Sequence, residues 1–141
     1  MPLYDNLGNH HIAVTTRSAR AQAFFDQGMR LVYGFNHGEA IRAFTEATRV
    51  DPACAMCYWG IALAHGPHVN AGMDSAGGVA AWAALVEARK LAAKASPWEQ
   101  AYSQALGHRY AANPPANRAS LDSAYARAMA ALLKRYPADL D

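Results

Sequence analysis

Residues 21–52 read AQAFFDQGMRLVYGFNHGEAIRAFTEATRVDP, and the reading of this stretch decides the fold. Phe24, Gly28, Leu31 and Val32 recur at the i, i+4, i+7, i+8 spacing of one helical face. Gly34-Phe35-Asn36-His37-Gly38 then interrupts the period with turn residues. A second period follows, with Ala40, Ile41, Phe44 and Ala47 on one face. Asp51-Pro52 ends it, because a residue before proline is pushed out of the helical region. The stretch therefore predicts two amphipathic helices joined by a tight loop, in a unit of 32 residues.

That length is close to the tetratricopeptide (TPR) repeat of about 34 residues. With Ala21 as the first position, Phe24, Gly28, Leu31, Ala40, Phe44, Ala47 and Pro52 fall on the TPR signature. Gln27 departs from it, standing where leucine is usual. The unit resembles a TPR repeat. The resemblance implies an all-α fold of stacked antiparallel helical hairpins, a right-handed solenoid of about three repeats. It implies little about function, because TPR modules serve unrelated tasks.

Working outward, residues 1–18 read as an extended lead-in, and residues 19–141 as the helical domain. The hairpins are expected at about 19–52, 53–95 and 96–137. Ser18 is a candidate N-cap for the first helix, running to about Tyr33, and the second helix runs from about Gly38 to Val50. The second hairpin opens with ACAMCYWGIALAHG. A long Pro67–Gly78 connection follows, rich in glycine, and its partner helix begins at Val79. Ser96-Pro97-Trp98-Glu99 reads as a capping box with proline at the first helical position, and that helix extends to about Tyr110. A last helix runs from about Arg118 to Arg135, before Tyr136-Pro137. The motifs YGFNH, DPACAMCYWG and GPHVN resemble those of a longer bacterial TPR group. That resemblance implies that these residues form the N-terminal part of a longer protein.

Composition narrows the functional classes. The chain has 33 alanines, which suits helices packed through small side chains. Only 17% of residues are charged and the net formal charge is +2, without a basic run, so nucleic-acid binding has no footprint. No apolar run reaches the roughly 18 residues of a membrane span. MPLYDNLGNH lacks the basic region and apolar core of a signal peptide. Neither a Ser-His-Asp signature nor a phosphate loop is present, so a non-enzymatic protein is expected.

Two features carry candidate chemistry. Cys54 and Cys57 stand at i and i+3 near a helix start, where they share a face and a thiol pKa falls. They read as small packing residues, as a redox pair, or as half of a metal site. A site for zinc or a softer metal would recruit His37, His10 or His11, because His65 lies about 12 Å along the helix from Cys57. On the redox or metal reading, Cys54, nearer the helix start, is the expected reactive thiol.

The second feature is a groove. In the TPR register the inner face carries Gln22, Phe25 and Met29 from the first repeat and Met56, Trp59 and Leu63 from the second. It is apolar and aromatic, and suits a peptide or helix of a protein partner. Phe25, Met29 and Gly60 replace the Lys and Asn residues with which some TPR proteins clamp a terminal carboxylate. The last helix adds an apolar stripe of Leu121, Tyr125, Met129 and Leu132 flanked by Ala124, Ala128 and Ala131, and self-association through it is expected.

Overall fold

A computed structural model describes residues 1–141 and is all-helical. Its helices are α1 (Ala19–Tyr33), α2 (His37–Val50), α3 (Ala55–Ala64), α4 (Ser75–Ala92), α5 (Pro97–Leu106) and α6 (Ala119–Arg135). No helix is long and apolar enough to cross a membrane. The starts follow from side-chain caps that satisfy otherwise orphaned N–H groups. Ser18 accepts from Ala21, Asn36 from Glu39, and Ser96 from Glu99 in a complete capping box.

Two boundaries differ from expectation. The fourth helix begins at Ser75, not Val79, because Asp74 caps the Gly77 N–H at 2.6 Å and draws both glycines into the first turn. Gly78 is buried there against Met73, with Pro114 nearby. The fifth helix stops at Leu106 rather than Tyr110. Gly107 donates to the carbonyls of Ser103 and Gln104, and single turns replace the helix beyond it.

Each helix packs on the next, and α3 also packs on both α1 and α5. The odd-numbered helices therefore form one side of the molecule. The core centres on Phe44, which is wholly buried. Gly28 of α1 and Gly60 of α3 both face its ring, and a Cβ at either would stand far inside van der Waals distance of it. Wholly buried alanines, among them Ala40, Ala43, Ala47 and Ala62, line the same close approach.

The lead-in runs as extended chain along α1, held by that helix's polar side chains. Gln27, 1% exposed, accepts from the Tyr4 N–H and donates to the Pro2 carbonyl. An apolar side chain in its place could not hold that backbone. Asp26 accepts from Ile12, and Arg30 donates to the His10 carbonyl. Farther along, Thr15 donates through both its N–H and its hydroxyl to the buried Glu99 of α5. Thr16 donates to Asp51, at the end of α2.

The Phe44 contact yields a paired test. Gly28→Ala should overpack the ring and cost about 1–3 kcal/mol in urea unfolding. Gly38, in the first turn of α2, has open space at its Cβ. Gly38→Ala should instead raise stability by up to about 1 kcal/mol. Equal effects at the two glycines would contradict this packing.

Candidate binding groove

A cavity of about 220 Å³ opens on the side formed by the odd-numbered helices. Five of the six residues expected in the groove line it: Phe25 and Met29 from α1, and Met56, Trp59 and Leu63 from α3. Ile12 of the lead-in, Trp98 and Tyr102 of α5, and Tyr125 and Met129 of α6 complete most of the wall. Trp59 meets Tyr102 edge to face at 5.8 Å, and Tyr102 in turn packs on Trp98 at 4.7 Å. These three rings form one connected part of the wall, and Phe25, Met29 and Met56 beside them are buried core residues. Trp59 is 5% exposed, and its Nε1–H is buried without a hydrogen-bond partner.

Gln22, the sixth expected residue, does not line the cavity. It accepts from the Val14 N–H at 3.0 Å and donates to the Ile12 carbonyl at 2.8 Å, holding the backbone of the lead-in.

The segment after α6 crosses the rim of the cavity. Asp139 accepts from Trp98 Nε1 at 2.7 Å and from the Tyr102 hydroxyl at 2.8 Å. Asp141 accepts from the Tyr33 hydroxyl at 2.8 Å, and His10 Nε2 lies 3.0 Å from the same oxygen. Burial, then the hydrogen bond to Asp141, pushes the Tyr33 phenol well above its usual value. Tyr102 is raised in the same way, by burial and then by Asp139. Burial alone would raise the Asp139 carboxyl, but the Trp98 and Tyr102 hydrogen bonds outweigh it and hold the group below the ordinary aspartate value.

The cysteines are joined in a disulfide, Cys54–Cys57. Both are wholly buried, and the Cys54 sulfur also caps α3 by accepting from the Cys57 N–H at 3.2 Å. The expected reactive thiol at Cys54 is therefore absent in this state, because no cysteine is free. The candidate histidines lie elsewhere. His11 pairs with Asp26 at 2.7 Å, and His10 packs edge-on against Tyr33. His37 stacks on His68 with ring centroids 4.0 Å apart. Burial first, and then repulsion from His68, lowers the His37 pKa. The five metal candidates are thus not brought together.

Sequence reasoning missed Asp139, Asp141, Tyr33 and Trp98. Isolated aspartates after a helix carry no signal of the donors that meet them across the fold. The chain matches none of the protein-family models, curated proteins or solved structures with which it was compared.

Asp139 provides a pH-dependent test. Asp139→Ala leaves two donors without a partner and should cost about 1–3 kcal/mol at neutral pH. The folded-state pKa lies below the unfolded one. The contribution is therefore full above the ordinary aspartate range and is lost as pH falls through the folded value. Urea unfolding at pH 7 and again near pH 2 should show the gap between wild type and variant closing in acid.

Proposed function

We propose that the chain is a TPR-type array of three helical hairpins, acting as a non-enzymatic interaction module that holds a peptide or helix in its apolar groove. The observation that carries this reading is the convergence of Phe25, Met29, Met56, Trp59 and Leu63 on one cavity. These residues come from two helices and were singled out by repeat register alone. The burial of Phe24, Leu31, Ala40, Phe44 and Ala47 supports the same register. Apolar grooves walled by aromatic residues suit helical or extended partners with apolar anchors.

Selection from a displayed peptide library tests it. Selected peptides should bind the purified chain, and Leu63→Glu should weaken them by at least about 2 kcal/mol, as at a hot spot. Leu63 is only half-buried, so the fold should hold. Peptides indifferent to Leu63→Glu would place binding elsewhere.

A second reading, a thiol-redox protein, has one observation in its favour: Cys54-Ala-Met-Cys57 forms a disulfide at a helix N-terminus. Burial of both sulfurs opposes it, because exchange requires an accessible sulfur. On the interaction reading the disulfide is structural. Mild reductant should then release no thiols from the native chain, and full reduction should cost up to about 2 kcal/mol, the loop-closure contribution of so short a loop. Two thiols released reversibly under native conditions would favour redox work.

Self-association through α6 belongs to the same proposal, but through another face. Of the expected stripe, Leu132 is buried and Tyr125 and Met129 line the cavity, whereas Leu133, outside the stripe, is 61% exposed. Sedimentation at micromolar concentration should show a dimer that Leu133→Lys disrupts. A monomer in both forms would discount the face.

A further inference from the structure

We infer that this groove takes an acidic peptide, with two carboxylates two residues apart on its rim and an apolar side chain in its cavity. The inference rests on the groove reading above and adds the chemistry of the partner. The segment after α6 is then an internal stand-in that a better-fitting peptide displaces.

The rim is built for carboxylates. Tyr33, Trp98 and Tyr102 each donate to Asp139 or Asp141, and His10 approaches Asp141. No lysine or arginine lines the cavity, so recognition comes from neutral donors beside an apolar wall. Hydrogen bonds to an ionised acceptor are strong, and at the part-buried Asp139 a lower local dielectric strengthens them further, whereas the Tyr33–Asp141 bond is exposed. The donors stand on α1 and α5, helices whose positions core packing already fixes. They are thus preorganised for two acids at this spacing.

The segment's own fit is incomplete. Leu140, between the two aspartates, is 95% exposed, so the apolar side chain best placed for the cavity turns away from it. A peptide that keeps both carboxylates and fills the cavity makes every contact that the segment makes and one that it does not. It competes against a tethered segment with an effective concentration in the millimolar range, so the intact chain binds it weakly until the segment is weakened.

The test uses the full chain and two labelled peptides, Tyr-Pro-Ala-Asp-Leu-Asp and its counterpart Tyr-Pro-Ala-Asn-Leu-Asn, followed by fluorescence anisotropy. Asp139→Asn/Asp141→Asn should bind the acidic peptide at least tenfold more tightly than the unaltered chain does. The asparagine peptide should bind that variant at least tenfold more weakly than the acidic one. Adding Trp98→Phe and Tyr102→Phe, which removes both donors to Asp139, should abolish the gain. Nile red, a neutral apolar dye, separates the two layers of the argument. If the double variant takes up the dye in a Leu63-dependent way but does not distinguish the peptides, acid recognition is overturned and the groove stands. If neither dye nor peptide binds, both fall. Should the double variant lose its helicity by circular dichroism, the unaltered chain decides. Millimolar acidic peptide must then move the backbone resonances of Asp139 and Asp141 to disordered positions while the asparagine peptide leaves them in place, and any other pattern overturns the inference.

Discussion

The ring of Phe44 held between Gly28 and Gly60 is the contact on which the other parts of the structure depend. Three helices meet at it, and the absence of two side chains lets their backbones approach closely around one aromatic ring. Packing at that density leaves no room for adjustment, so the separation of α1 from α3 is set there. The cavity wall is made by the outward neighbours of the same residues: Phe25 and Met29 beside Gly28, Trp59 and Leu63 beside Gly60. A larger residue at either glycine would therefore act on the core and on the shape of the groove together.

A second constraint is electrostatic rather than steric. Helix α1 buries Asp26 and Gln27, a cost that each must recover through hydrogen bonds. The partner is the backbone of the lead-in, which would otherwise present unpaired N–H and C=O groups to an apolar surface. Gln22, Gln27 and Arg30 reach that backbone. Glu99 extends the same logic to α5. It serves the capping box through Ser96 and also accepts from Thr15, so one buried carboxylate closes a helix end and ties the first residues of the chain to the third hairpin.

This division explains what was legible in the sequence. Helix periods, the capping box and the inner-face residues are local patterns, and they located the helices to within a few residues. The cavity wall was legible because helical spacing puts Phe25 with Met29, and Met56 with Trp59 and Leu63, on one face of each helix. The start of α4 was misread because two glycines looked like loop, whereas a single aspartate cap outweighs their low helix propensity. Gln22 shares the face of Phe25 and Met29 but serves the lead-in. The pairing of His37 with His68, and of Asp139 with Trp98 and Tyr102, joins residues from separate elements. No spacing rule reaches such pairs.

The crossing of the groove by the segment after α6 is also where local and distant forces balance. Its hydrogen-bond partners, Tyr33, Trp98 and Tyr102, lie on helices that the core holds in place without it. Ordering the segment therefore costs only its own conformational freedom, roughly 1–2 kcal/mol for each residue fixed. Against that stand two charge-assisted hydrogen bonds at Asp139, at about 1.5–3 kcal/mol each, an exposed and weaker one at Asp141, and little apolar burial, since Leu140 faces solvent. The two sums are of similar size, unlike those for the lead-in, whose backbone is bonded along most of α1. The helices and the lead-in thus form the fixed body of the molecule. The segment over the aromatic groove is the part that an outside acid can most cheaply replace.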